Sequence, residues 1–162
     1  MKRLVLMRHA TTEHYNVEGD KARRLTGRGR QDARVAGMEL ADRGIQRALV
    51  STATRTRETF EELGLGVPAE FMDALYFGGS DTILQRISET GEEVNGLIVI
   101  GHAPTIPGLV AELSYESSRE EADQAQCWYP TSAFSSFLIT SPWTALAERD
   151  FSGIMLEGIR RL

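Results

Sequence analysis

The chain of 162 residues holds one cysteine, five prolines, three histidines and two lysines, and each scarcity excludes something. With Cys127 alone, an intramolecular disulfide is impossible, and so is any metal site built on several thiolates. A single thiol of this kind reads as a small buried hydrophobe rather than a nucleophile. Nowhere do 18 apolar residues follow one another, so no segment has the pattern of a bilayer-spanning helix. The opening Met1-Lys2-Arg3-Leu4-Val5-Leu6-Met7 has the basic start of an export signal. Arg8 and His9 end its apolar run after four residues, too short for the hydrophobic region of such a signal. A cytoplasmic location is therefore the expectation. Repeats, low-complexity tracts and Pro/Ser-rich linkers are also lacking. With 41% hydrophobic and 25% charged residues, the chain reads as one globular domain over residues 1–162.

Lysine is scarce because arginine replaces it: 16 of the 18 basic residues are Arg. The net charge of −5 argues against a nucleic-acid partner. Its distribution is uneven. Residues 1–57 carry 13 basic and 6 acidic side chains, whereas the rest carry 5 and 17. Such a division points to a basic first third that faces an anion, or to two parts that neutralise each other across the fold. Arginine's planar fork grips phosphate or carboxylate with two bonds, which favours the anion site.

Three short runs read as strands: Arg3–Met7, Ala48–Val50 and Gly96–Ile100. Val67–Met72 is a further short candidate. Ala133–Thr140 and Trp143–Arg149 read as a late pair joined through Ser141-Pro142, and 150–162 is ambiguous. Between the strands lie helical stripes. After Thr26 as N-cap, Ala33, Ala36, Gly37, Leu40 and Ala41 recur at helical spacing until Gly44. Thr56, Thr59, Phe60 and Leu63 form a second stripe before Gly64. Ile83, Leu84 and Ile87 form a third, and Ile106, Leu109, Val110 and Leu113 a fourth. The acidic stretch Glu116–Asp123 reads as a solvated loop or helix face, and the Trp128-Tyr129 pair as core or pocket rim. Strands alternating with helices predict a three-layer α/β/α sandwich with a mainly parallel central sheet and antiparallel edge strands.

Open α/β sheets bind ligands beyond the carboxyl ends of their strands. Three polar clusters follow the predicted strands here: Arg8-His9, Ser51 through Arg55, and His102. A neutral imidazole nitrogen is a competent nucleophile towards phosphorus. The transferring phosphoryl group then needs cationic donors around its oxygens, and Arg8, Arg55 and His102 are of the right kind. Either histidine alone would read as an ordinary one near a strand end. Two of them at two strand ends, beside Arg and Gly, read as chemistry.

These residues carry a resemblance. Leu6-Met7-Arg8-His9-Ala10 resembles the Arg-His-Gly signature of the histidine phosphatase superfamily, which has the phosphoglycerate-mutase-like fold. Ser51-Thr52-Ala53-Thr54-Arg55-Thr56-Arg57-Glu58-Thr59 resembles its Ser-Pro-x-x-Arg-x-x-x-Thr segment, and Val99-Ile100-Gly101-His102 its second histidine motif. Arg24-Leu25-Thr26-x-x-Gly29 resembles the stretch that opens the first helix of the family. The short length and Pro130-Thr131-Ser132-Ala133 are most similar to the phosphohistidine phosphatases of the SixA type. The resemblance implies that His9 is phosphorylated during turnover, with Arg8, Arg55 and His102 forming the phosphate pocket and Arg24 at its entrance. It also implies chemistry with no metal and no cofactor.

The departures bear on mechanism. Ala10 stands where the larger family prefers Gly, and Thr52 replaces the usual Pro. Asn16 is one residue out of register with the mutase asparagine and is not carried over. For a general acid, Asp73 is the nearest candidate, with Glu13 and Asp20 as outsiders, and none aligns cleanly. An alkoxide leaving group needs a proton from the enzyme, whereas a phosphorylated imidazole titrates near pH 6.5 and can take its own. His9, Glu13 and His14 do not match a helical His-Glu-x-x-His metal site, and His14 reads as an exposed loop residue.

The sequence thus predicts a phosphatase hydrolysing phosphohistidine in a protein substrate through a phospho-His9 intermediate, with signal transduction as its setting. A broad small-molecule phosphomonoesterase, with Asp73 as acid, is the alternative. A catalytically dead phosphohistidine-binding module is the second. No membrane partner is expected.

Overall fold

The computed structural model describes residues 1–161. Six strands form one sheet in the order β3-β2-β4-β1-β5-β6. They are β1 (Lys2–Arg8), β2 (Arg47–Ser51), β3 (Ala69–Met72), β4 (Gly96–Gly101), β5 (Phe134–Ile139) and β6 (Ile154–Arg160). The pairs β1·β4, β2·β4 and β2·β3 are parallel, while β5 is antiparallel to both β1 and β6. The sheet is therefore mainly parallel, with antiparallel pairing at one side.

Six helices cover it: α1 (Gly27–Leu40), α2 (Thr54–Leu63), α3 (Asp73–Phe77), α4 (Ser80–Ser88), α5 (Thr105–Ser114) and α6 (Arg119–Cys127). Alternation along β1 divides the core in two, because successive strand side chains face opposite ways. Val5 and Met7 pack with Ala36 and Leu40 of α1 and Leu63 of α2. Leu4 and Leu6 pack on the other face with Ile83, Leu84 and Ile87 of α4 and Ile106, Leu109 and Val110 of α5. This is the predicted three-layer sandwich. β1 and β4 are flanked on both sides and covered on both faces, which is why they read as unbroken apolar runs.

Helix α1 starts where the sequence predicts, with the Thr26 hydroxyl accepting from the Gly29 amide at 3.0 Å. Gly29 itself touches the backbone of Thr11. A Cβ there would lie 2.1 Å from the Thr11 carbonyl oxygen. That contact holds the loop after β1 against the start of the helix.

The late strand pair needs correction. Trp143–Leu146 is a short 3-10 helix, not a strand, and β6 lies in the segment left ambiguous by the sequence. Trp143 is fully buried, and its Nε1 donates to the Val94 carbonyl at 2.9 Å. Burying both Trp143 and Leu146 requires their three-residue spacing to turn inward, which a strand cannot provide. β6 is an edge strand whose pairing with β5 shifts register at Ser136/Phe137, so its alternation is blurred.

Residues Glu116–Asp123 run from an exposed loop into the solvated face of α6, which begins at Arg119, in keeping with the sequence reading. The Ser118 hydroxyl caps it by accepting from the Glu121 amide at 3.3 Å. Only Ala122 and Ala125 of α6 are buried. Cys127 lies off that narrow stripe and is exposed, contrary to its reading as a buried hydrophobe. Trp128 is exposed as well, while its neighbour Tyr129 is buried.

Candidate active site

The parallel strands bring three sequence clusters to one edge. Arg8 ends β1, Ser51 ends β2, and His102 follows β4. The His9 amide donates to the Gly101 carbonyl at 3.0 Å, and the His9 carbonyl accepts from the Ser132 amide at 3.0 Å. His9 is thus tied to the end of β4 on one side and to the turn before β5 on the other. Its Nδ1 donates to the Ala10 carbonyl at 2.7 Å. A carbonyl only accepts, so the neutral ring carries its proton on Nδ1 and its lone pair on Nε2. The turn beyond is fixed by Thr59 of α2, whose hydroxyl accepts from the Ala10 amide at 3.0 Å and donates to the Arg55 carbonyl at 2.7 Å. The Ala10 methyl is fully buried with Leu25 and Ala33, so this fold accommodates the departure from Gly.

His102 faces His9 with ring centroids 5.4 Å apart, and its Nε2 lies 2.8 Å from Ser51 Oγ. Burial pushes the His9 imidazole down to about 3, with the nearby His102, Arg55 and Arg8 acting in the same direction against the Ala10 hydrogen bond. Burial and then the Arg55 charge push His102 down to about 4. Both rings are neutral at physiological pH.

The cleft over these rings has a volume of about 320 Å³. Arg8, Arg23 and Arg55 line it, together with His14, Thr11 and Thr131. Nη1 of Arg8 donates to the Tyr129 carbonyl at 2.9 Å. Among the described residues, Nε of Arg8, Nε of Arg55 and Nδ1 of His102 are buried without a hydrogen-bond partner. Three cationic forks and two neutral imidazoles around one cleft can hold a tetrahedral oxyanion against a nucleophilic nitrogen.

A strap between Glu13 and Arg24 borders the cleft. Its base is pinched by the Thr12–Leu25 bridge and by the Thr26 amide donating to the Thr11 carbonyl at 3.0 Å. At its far end, the 3-10 turn Asp20–Ala22 reaches α2. Arg55 Nη1 donates to the Asp20 carbonyl at 2.9 Å, and Nη2 to the Asp20 carboxylate at 3.2 Å.

Arg8, His9, Arg55 and His102 therefore share one cleft, as the sequence motifs require. Two other predicted residues do not reach it. Arg24 is turned away, with Nη2 3.2 Å from the Glu58 carboxylate on the outer side, and its neighbour Arg23 faces the cleft instead. Asp73 lies exposed at the start of α3, accepting from Thr52 Oγ1 at 2.6 Å and Lys21 Nζ at 2.9 Å. Those two partners hold its carboxyl below the usual range, the wrong direction for a proton donor. Glu13 accepts from the Arg24 amide within the strap. No carboxylate is among the residues lining the cleft in the described part of the chain.

Sequence reasoning missed Arg23, Thr59, Thr131 and the part played by His14. Thr59 and Thr131 left a signal, as the closing residue of the Ser51–Thr59 motif and as a member of Pro130-Thr131-Ser132-Ala133.

Comparison with known proteins gives the family. Residues 4–76 match the family model for the histidine phosphatase superfamily, branch 1. A solved protein from Nakamurella multipartitia, provisionally assigned as phosphohistidine phosphatase SixA, is 30% identical with a TM-score of 0.88, covering 99% of this chain and 95% of its own. The chain belongs to the histidine phosphatase superfamily. As a member it is a hydrolase of the phosphatase kind, and its likeness is to the SixA-type branch. The protein histidine phosphatase SixA, solved with tungstate, is 25% identical with a TM-score of 0.77, covering 97% of this chain and 95% of that one. An uncharacterised protein of Mycobacterium tuberculosis is 31% identical over 141 residues, 85% of this chain and 89% of its own length.

Proposed function

We propose that this phosphatase hydrolyses phosphohistidine on a protein substrate through a covalent phospho-His9 intermediate. One observation carries the reading: the cleft offers three arginines and two neutral imidazoles, with no carboxylic acid among its described lining. In the first step, His9 Nε2 attacks phosphorus in line with the P–N bond of the substrate. The Nε2–P bond forms as that bond breaks, and the electron pair leaves with the substrate imidazole. A substrate ring protonated on its other nitrogen departs neutral, while His9, protonated on Nδ1, becomes the phosphoimidazolium. The exchange joins two chemically equivalent groups, so it requires no enzyme acid. Water then attacks phosphorus, the Nε2–P bond breaks, dihydrogen phosphate leaves and neutral His9 returns.

Arg8 and Arg55 hold the phosphoryl oxygens in both steps, with Arg23 at the cleft edge and His102 beside the nucleophile. Alkyl phosphates are poor substrates because their alkoxide must be protonated and no group stands ready. The rim favours a macromolecule. Tyr15, Phe77 and Trp128 are exposed, and each is adjacent in sequence to a residue that lines or braces the cleft: His14, Tyr76 and Tyr129. The kinship with SixA-type proteins supports the same substrate class.

The test compares kcat/KM on a phosphohistidine peptide and on an alkyl phosphate. The reading expects a preference for the peptide of about a hundredfold or more, the usual scale of acid catalysis. Equal rates or the reverse preference would sink it and favour the small-molecule phosphomonoesterase.

A further inference from the structure

Asp20 meets two of the arginines that line the cleft. Its carbonyl accepts from Arg55 Nη1 at 2.9 Å, and its Oδ2 accepts from Arg55 Nη2 at 3.2 Å. Its Oδ1 accepts from Arg23 Nε at 3.0 Å. The phenol of Tyr76 donates to Oδ2 at 2.6 Å, and the same Tyr76 ring stands edge-on to His102 at 5.7 Å. One strap residue therefore connects the strap itself, α2 and α3 around the cleft.

A guanidinium has five N–H donors in a rigid plane. Asp20 occupies the outer end of the Arg55 fork, one donor on each terminal nitrogen. Arg55 is buried, and its Nε has no partner among the described residues. The remaining edge, Nε with the second donor of Nη2, is the one that suits two oxygens of a phosphoryl group. Asp20 itself is half-exposed at a strap tip, where an ion pair adds little to stability. Geometry is what it supplies.

We propose that Asp20 is a positioning residue for the phosphoryl site: it fixes the Arg55 guanidinium end-on, keeps its Nε edge turned to the oxyanion, and holds Arg23 beside it. This rests on reading the cleft as the phosphoryl site, but not on the substrate or on a covalent intermediate. The carboxylate is therefore a rotational anchor and not the missing acid. Hydrogen bonds from Tyr76, Arg55 and Arg23 to its ionised form, together with the Arg55 charge, outweigh desolvation and hold Asp20 at about 2.

The test measures tungstate affinity by calorimetry in wild type, Asp20→Ala, Asp20→Asn, Arg55→Ala and the Asp20→Ala/Arg55→Ala double variant. Asp20→Ala is expected to weaken binding about tenfold, the scale of one lost charge-assisted contact. Asp20→Asn keeps an acceptor oxygen at the same place and should lose less. In the Arg55→Ala background, Asp20→Ala should cost clearly less than in wild type, because the share of its effect carried by Arg55 is already gone and only the hold on Arg23 remains. That coupling separates positioning from a general structural role, and unchanged melting of Asp20→Asn shows that the strap is intact. Wild type that binds tungstate while Asp20→Ala binds it equally or more tightly overturns the proposal alone, making Asp20 an internal competitor for Arg55. Additive losses in the double variant, or a greater loss in Asp20→Asn than in Asp20→Ala, overturn it too. Failure of wild type to bind tungstate overturns the phosphoryl-site reading together with it.

Discussion

The Nδ1–H of His9 is held by the carbonyl of the next residue, Ala10, at 2.7 Å. Because that carbonyl cannot donate, a short local bond decides which ring nitrogen is the nucleophile. Burial keeps the ring uncharged, with a folded-state value of about 3 against an ordinary 6.5. Nitrogen NMR should therefore show His9 as the neutral Nδ1–H tautomer down to pH 5. An imidazole titrating near 6.5 would contradict it. The same shift affects stability. The unfolded chain takes up a proton near pH 6.5 that the folded chain refuses, so stability falls as pH drops from there towards 3. The slope from His9 is about 1.4 kcal/mol per pH unit in that window, measurable by denaturant titration.

Asp73 is bound to Thr52 and Lys21 outside the cleft, and both partners favour its ionised form. Asp73→Asn is expected to leave kcat on a phosphohistidine peptide within about threefold, since a group away from the reacting atoms supplies no acid catalysis. A loss of a hundredfold would restore Asp73 as the general acid.

Adjacent arginines on the strap face opposite ways. Arg23 lines the cleft, whereas Arg24 pairs with Glu58 and is largely exposed. Arg23→Ala should raise KM about tenfold, the cost of one cationic contact to a phosphoryl group. Arg24→Ala should change KM by less than about threefold, as expected for an exposed pair. Equal effects, or the opposite order, would show that the strap turns differently in solution.

The close approach of Gly29 to the Thr11 carbonyl leaves no room for a methyl group. Gly29→Ala is expected to destabilise the fold by about 1–3 kcal/mol, the range for overpacking, and to lower activity by shifting the loop that follows His9. Denaturant unfolding and kcat/KM on the same preparation check both. Wild-type stability and wild-type activity together would show that this contact does not fix the loop.

Much of this architecture can be read from particular residues. Leu4–Met7 and Gly96–Ile100 are apolar throughout because β1 and β4 are covered on both faces. The polar groups just beyond those strands then have to share one edge. What could not be read depends on tertiary path or on narrow burial. Whether Arg23 or Arg24 faces inward is decided by the pinch between Thr12 and Leu25, two positions with no local mark. Helix α6 buries two alanines, too narrow a stripe among acidic neighbours to decide between the loop and the helix face that the sequence allows. Trp143 and Leu146 resembled a strand because their three-residue spacing was too short to separate the two periods.

The account stands most directly on phosphate appearing on His9. Purified protein is mixed with a phosphohistidine peptide, quenched in alkali at millisecond intervals and analysed by mass spectrometry, with His9→Ala as control. Phosphate should appear on His9 Nε2 and decay as inorganic phosphate accumulates, and His9→Ala should form no adduct and release none above background. Phosphate released at the wild-type rate by His9→Ala would contradict the covalent route. Tight binding of the peptide by wild type with neither adduct nor release would make the protein a phosphohistidine-binding module.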